Sequence, residues 1–234
     1  MSVDVMSALD TFAKQTSTEA VYSFAKMIAL HVVKDNPLKD LMQAGNIKIP
    51  KTTAIFNMSS ATDCPSLKLD ICKACVADKN FCYALKSERS YRPNVLPYRR
   101  RQQEYWLTTT AEQFAFEFLL VNSLKPVPYT KLRLNEAGDF HSQACIYKAD
   151  KIARILSNYG VDTYCYTSRS DLDFSKIKYM TVNGSGFKTK GIQNEFRMIM
   201  KDEPWPKGYA KCPMDCTVCD RCSKKGKDTF VIQH

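Results

Sequence analysis

Short apolar runs and helix-spaced apolar residues take turns along this chain. Thr53–Ser60, Tyr129–Leu134, Thr163–Thr167, Tyr179–Asn183 and Phe196–Met200 are runs rich in β-branched and aromatic residues that predict strands, and Phe230–Ile232 predicts a last one. Two helical signals open the chain. In the second, Thr16 and Glu19 form a capping box, and Val21, Phe24, Ala25, Ile28 and Val32 follow at helical spacing until Asn36-Pro37. Tyr98–Leu107 predicts a helix. Another begins at Thr110, with Gln113 completing a capping box, and runs to about Leu124. Its apolar residues surround most of the axis, which predicts burial. Gln143–Leu156 carries Cys145, Ala149, Ile152, Ala153 and Leu156 on one face, with Gly160 just beyond, and Lys188–Asn194 predicts a short helix.

Strands separated by helices or long connections predict an α/β fold with a parallel sheet. The simplest division is an N-terminal helical segment (1–50), an α/β domain (51–210) and a cysteine-rich C-terminal appendage (211–234). In parallel α/β folds, sites gather at the carboxyl ends of strands. Polar segments fall there repeatedly: Ser59, Ser60, Asp63 and Cys64; Asn135, Glu136, Gly138 and Asp139; Ser168, Arg169, Ser170 and Asp171; Asn183, Gly184, Ser185 and Gly186. A parallel sheet brings them to one rim. Arg133 alternates with Leu132 and Leu134, so it points away from their apolar face. In a barrel that direction is the interior, where a cation needs a partner. The candidate ligand-binding residues are therefore Arg133, Glu136, Asp139, Ser168, Arg169, Asp171 and Asn183. Turn and packing roles compete with this reading, most strongly at Asn183.

Composition adds limits. The chain has 234 residues, 44% hydrophobic and 25% charged, a balance that supports a packed core without disulfide staples. Met1–Lys14 mixes charges with apolar residues and lacks a secretory pattern. The most apolar stretch, Phe114–Leu124, is too short for a membrane span and contains Glu117. A cytoplasmic protein with reduced thiols is expected. The net charge of +10 permits contact with nucleic acid. Arg92, Arg99, Arg100 and Arg101 interleave with Tyr91, Tyr98, Tyr105 and Trp106, a pattern that can contact phosphates and stack on bases. A solvated helix face with a few buried aromatics explains the same stretch.

Eight of the ten cysteines fall into two groups. Cys212, Cys216, Cys219 and Cys222 stand in CPMDCTVCDRC, with gaps of three, two and two residues. Four soft thiolates this close suit one metal centre, either tetrahedral Zn²⁺ or a [4Fe–4S] cluster. Zinc sites commonly pair two CxxC knuckles across a longer gap, so the compact run favours a cluster. Its first three cysteines have the CxxxCxxC spacing of radical S-adenosylmethionine enzymes. That motif belongs after the first strand, and here Cys222 can close the fourth iron. An electron-transfer or structural cluster is expected instead, and S-adenosylmethionine has no standard motif here. Cys64, Cys72, Cys75 and Cys82 are separated by gaps of seven, two and six residues and follow the first strand. They can hold zinc, a second cluster, or a cluster with one open iron. Cys145 and Cys165 sit in apolar, periodic surroundings and read as core.

Three ordered strings, the CP…C…CYA of Cys64–Ala84, LRLNEAGDF and YCYTSRSDLDF, resemble the phage Gene Product 88 domain family, and the late cysteine group also fits its pattern. The resemblance covers about Thr53 to Cys222. Cys64, Pro65 and Cys82-Tyr83-Ala84 match the first motif, with extra residues and an extra cysteine between, so its ligand count is open. Glu136, Gly138 and Asp139 match the second, and Thr167, Ser168 and Arg169 the third. The resemblance implies a phage protein acting in the bacterial cytoplasm, built as a partial or distorted TIM-type barrel of radical-SAM-like kind. It names no reaction.

Three functions follow as expectations. One is an iron–sulfur protein with one or two [4Fe–4S] clusters and a pocket for a small polar or anionic ligand. Another is a zinc-stabilised nucleic-acid-binding protein. The third is a structural or host-interaction protein in which metal only holds the fold.

Overall fold

The structure, a computed structural model, describes residues 36–72, 82–91 and 93–233. The two opening helical signals, Cys75 and Arg92 lie outside the described residues. The elements run α1 (Pro37–Leu41), β1 (Gln43–Ala44), β2 (Thr53–Phe56), α2 (Pro65–Lys68), α3 (Tyr83–Ser90), α4 (Val95–Thr108), α5 (Ala111–Ser123), β3 (Lys131–Leu134), α6 (Gln143–Ser157), β4 (Asp162–Thr167), β5 (Thr181–Ser185), β6 (Asn194–Ile199), β7 (Ala210–Lys211) and β8 (Thr229–Ile232). Arg221–Ser223 adds a 3₁₀ turn between the last two strands.

All six strands expected from the sequence form, and they join one sheet of order β1-β2-β3-β4-β5-β6-β8-β7. From β2 to β8 every pairing is parallel. Only β1 runs antiparallel, against β2 at one edge. Within the stretch 211–234, β8 pairs with β6, so the cysteine-rich tail is knitted into the sheet.

The core lies between one face of this sheet and the helices. Ala54, Phe56, Leu132, Leu134, Cys165 and Val182 meet Phe114, Phe118, Ile146 and Ile152 of α5 and α6 there. Phe56 and Phe114 stack edge to face with centroids 5.0 Å apart, and Trp106 lies 5.7 Å from Phe114. As the capping box predicts, the Thr110 hydroxyl accepts from the Gln113 amide at 3.1 Å and starts α5. Asn36-Pro37 opens a helix as well: Asn36 accepts from Leu38 N–H and Pro37 takes the first turn of α1. Among the described residues no helix is long and apolar enough to cross a membrane.

The expected helix over Lys188–Asn194 is absent. The segment turns instead, and Asn194 already belongs to β6. Gly191 explains this. Its φ is +89°, and a Cβ there would stand 2.0 Å from the Phe174 carbonyl oxygen. The chain is pressed against the β4–β5 connection in a conformation that helices do not use.

Candidate functional site

Successive side chains of a strand face opposite ways. Leu132, Leu134 and Cys165 face the helices and are fully buried. Arg133, Tyr164 and Tyr166 face the other side, where a cavity of about 1070 Å³ lies against the sheet. Phe196 and Met198 of β6 border the same space. Arg133 lies over the Tyr166 ring, 4.9 Å from its centroid, and Tyr166 meets Phe196 edge to face at 5.3 Å. Among the described residues the buried Arg133 Nε has no hydrogen-bond partner. A buried donor left unpaired costs about 1–3 kcal/mol.

The C-terminal cysteine loop lies across this open face. Its start is held by Cys212 N–H donating to Phe230 of β8 at 2.7 Å, and its middle by Cys216 N–H donating to Lys48 at 2.8 Å. Its end is gripped by buried polar side chains on β5 and β6. Asn183 donates to the Cys222 carbonyl at 2.9 Å and to the Cys165 carbonyl at 2.9 Å. Thr181 donates to the Ser223 carbonyl and Asn194 to the Lys224 carbonyl. Asn194 also donates to the Asn183 oxygen at 3.0 Å. Asn183 therefore acts as a clamp on the loop. Cys212, Cys216, Cys219 and Cys222 all line the cavity.

Cys64, Cys72 and Cys82 of the first group line the same cavity. Cys64 caps α2 at the carboxyl end of β2. The loop before it is anchored by Glu88, which accepts from the Ala61 and Thr62 amides and from the Thr62 hydroxyl. Arg99 holds Glu88 in turn through a buried ion pair at 3.0 Å. Behind Cys64, Asp139 accepts four hydrogen bonds: from the Ser66 and Thr167 hydroxyls and from the Ser168 and Phe140 amides. Gly138 makes room for this knot, since a Cβ there would stand 2.0 Å from the Ser59 hydroxyl. The strand-end segments thus share one rim.

The candidate ligand-binding residues divide. Arg133, Glu136, Asp139 and Ser168 line the cavity. Glu136 takes a hydrogen bond from Asn46 at 2.8 Å, and its carbonyl accepts from the Tyr83 hydroxyl. Asp139 is fully engaged by its four donors. Arg169 is buried, bonded through two nitrogens to Asp171 and through a third to the Phe140 carbonyl. In the basic aromatic stretch, Trp106 is 1% exposed within the core and Arg99 is buried on Glu88. Trp106 presents no surface to bases, and the Arg99 guanidinium is committed to Glu88 and the Ala84 carbonyl. Arg100 pairs with Asp63 at 2.8 Å, and Arg101 borders a smaller surface cleft beside Tyr98.

Tyr83, Tyr164, Tyr166, Thr181 and Asn194 are the site residues outside the sequence candidates. For Tyr164 and Tyr166 the signal is in the chain: they flank Cys165, as Leu132 and Leu134 flank Arg133, and so share the face opposite it.

Among the described residues none of the cysteines is in a disulfide, and no group of three or more His, Cys, Asp or Glu is arranged to hold a metal ion in this conformation. The chemistry of the donor set does fit a soft metal. Burial pushes the Cys222 thiol up to about 11, against a hydrogen bond from Tyr166 that lowers it. Burial raises Cys216 as well, while Arg133 pulls it down. Cys64 is pushed up to about 12 by burial and by the Asp139 charge. A cation among such thiols reverses these shifts. The Met214 amide donates to the Cys212 sulfur at 3.4 Å.

A family model described as Gene product 88 matches residues 27–184. The chain belongs to the Gene product 88 family. The match takes in Cys64, Cys72, Cys82, the LRLNEAGDF strand end and the Asp139 knot, and stops at β5, before the second cysteine group. No curated protein and no solved structure matches the chain.

Proposed function

We propose that this chain is an iron–sulfur protein. Cys212, Cys216, Cys219 and Cys222 hold a [4Fe–4S] cluster on the open face of a partial barrel, beside a cavity for a small polar or anionic ligand. The observation that carries this reading is the placement of the cysteines. A loop with four thiols in eleven residues is bonded across the sheet and opens on a cavity that also receives Cys64, Cys72 and Cys82.

Chain geometry supports the barrel. Lys48 follows β1 at one edge of the sheet, and Phe230 is in β8 near the other. In a flat sheet six strand spacings would separate β1 from β8 by roughly 29 Å. The four chain steps from Cys212 to Cys216, whose ends bond to these two places, reach at most about 14 Å, and the four steps from Ala44 of β1 to Lys48 reach about as much again. A sheet that curls around the loop spans this without both segments being fully extended.

The run of the cysteines in sequence supports iron–sulfur over zinc. Zinc sites commonly pair two CxxC knuckles across a longer gap, whereas CPMDCTVCDRC has gaps of only three, two and two residues. Bound there, the cluster supplies one-electron chemistry. The protein's own residues hold the loop (Asn183, Asn194, Thr181), donate to a ligand sulfur (Met214 N–H) and place a cation, Arg133, close enough to pull down the Cys216 and Cys222 thiols. The first group, with Cys75, is the place for a second centre.

The test is purification without oxygen, followed by a visible spectrum and assays of iron, sulfide and zinc. The expected result is a brown protein with about four iron and four sulfide per centre. In Cys219→Ala that content falls by at least one centre. A colourless protein with stoichiometric zinc and no sulfide ends the cluster reading.

A further inference from the structure

The open face poses a problem that the cysteines do not solve. Arg133 carries a permanent charge on a strand whose neighbours are apolar. Its charge rests on the Tyr166 ring, and its Nε is buried without an acceptor. Among the described residues no acid forms an ion pair with it. Glu136, the nearest in sequence, is held by Asn46. Arg99 on the same cavity is already bonded to Glu88 and to the Ala84 carbonyl. Arg133 is thus a fixed guanidinium that borders an open space.

The surroundings narrow what would fill that space. Tyr164, Tyr166 and Phe196 make an aromatic floor next to the guanidinium. Flat apolar groups pack well on such a floor. A guanidinium fork matches the two oxygens of one carboxylate. Glu136, Asp139, Asp215 and Asp220 border the cavity and outnumber its lysines, Lys48 and Lys131, which disfavours a second negative charge.

We infer that Arg133 anchors the carboxylate of a small organic monoanion whose flat apolar body lies on Tyr164, Tyr166 and Phe196. The inference rests on the reading of this cavity as a binding site, though not on the identity of the metal. It assigns Arg133 as the residue that selects charge and Tyr166 as the residue that positions it.

Benzoate, phenyl phosphate and the neutral benzamide serve as probes, with binding followed by ligand-detected NMR on the protein as purified. Wild type is expected to bind benzoate at least tenfold more tightly than benzamide, and more tightly than phenyl phosphate. Arg133→Met is expected to lose benzoate at least tenfold. Arg133→Lys keeps the charge without the fork and falls between. Equal binding of benzamide and benzoate overturns the inference, and that comparison needs only the wild type. So does undiminished benzoate binding by Arg133→Met. A preference for phenyl phosphate overturns the monoanion assignment.

Iron and sulfide assayed in the same samples separate this proposal from the cluster reading. If iron is absent everywhere and benzoate binding still depends on Arg133, the cluster reading falls and the carboxylate site stands. If Arg133→Met sheds iron while wild type ignores benzoate, Arg133 is a counter-charge for the cluster and the site falls.

Discussion

On the helix side of β3 and β4, Leu132, Leu134 and Cys165 are fully buried among aromatic rings. One residue away along the same strands, Arg133, Tyr164 and Tyr166 border a cavity with cysteines on its far wall. The two faces are made from alternate residues of the same short strands, yet they answer to different demands. The helix side has apolar partners for every ring. The cavity side, among the described residues, leaves the Arg133 cation without an acceptor and holds a peptide loop by its carbonyls. On the proposed reading, stability belongs mainly to the first face and binding to the second, and substitutions on each can break that assignment.

The largest effect is expected on the helix side. Phe114 packs on Phe56, Tyr105 and Trp106. Phe114→Ala should cost about 3–5 kcal/mol in urea unfolding, because the cavity it leaves cannot collapse among rigid rings. A loss below about 1 kcal/mol would mean that the helix layer does not hold the sheet.

Asn183 lies on the cavity side of β5 and comes next. It is 1% exposed and joins the Cys165 and Cys222 carbonyls to Asn194. Asn183→Ala leaves buried partners unsatisfied and should cost about 1–3 kcal/mol. Hydrogen exchange at the amides from Cys222 to Lys224 should speed up well before exchange in β3. Uniform protection in both places would show that the clamp is not what holds the loop.

The third test uses pH and two carboxylates of the rim. Burial raises Asp139 above the ordinary aspartate value of 3.8, against the pull of its four hydrogen-bond donors. Its folded form binds a proton more tightly than the unfolded chain, so its contribution to stability falls as pH rises from 3.8 through the folded value. Asp171 is lowered, chiefly by its hydrogen bonds to Arg169. Its contribution is present above 3.8 and is lost as pH falls through the lower folded value. Unfolding free energies of Asp139→Asn and Asp171→Asn, measured against pH and subtracted from wild type, should therefore slope in opposite directions in adjoining windows. At neutral pH Asp139→Asn still costs about 1–3 kcal/mol, because an amide nitrogen must face the amide of Phe140 or Ser168. Parallel slopes for the two variants would show that burial does not govern Asp139.

How much of this was legible in the chain depends on the range of the interaction. The strand pattern, the Thr110 cap and the outward turn of Arg133 are local and follow from spacing of two to four residues. The shared rim follows from parallel strands, which the order of elements implies. The cavity that unites both cysteine groups depends on contacts between residues far apart in sequence, such as Cys216 with Lys48. No spacing rule encodes those. The same holds for Arg99 and Trp106. Their composition suggests a basic aromatic surface, but burial against Glu88 and Phe56 is a tertiary fact. At Lys188–Asn194 the helical spacing was present and lost to Gly191, whose close approach to Phe174 fixes a turn. Asn183 looked like an ordinary strand-end turn residue, because its partners in the tail are brought to it only by folding.

The smallest effect on stability is expected at Arg133, and it is the most telling for the comparison. Arg133→Met keeps most of the side chain's length and removes a charge that has no acceptor. Replacing a buried charge with an apolar residue of similar volume is often neutral or stabilising. Among the described residues it gives up the Tyr166 cation–π pair, which is worth about 0.5–2 kcal/mol, and the attraction of the Glu136 charge. Relief of the unpaired Nε offsets that loss. Urea unfolding of Arg133→Met should therefore fall within about 1 kcal/mol of wild type, while Phe114→Ala loses several times as much. A loss of 3 kcal/mol or more at Arg133 would make it a structural residue of the sheet, and the division of labour between the two faces would not survive. A neutral result joined to lost benzoate binding would place Arg133 where alternation in β3 puts it, on the face kept open for a ligand.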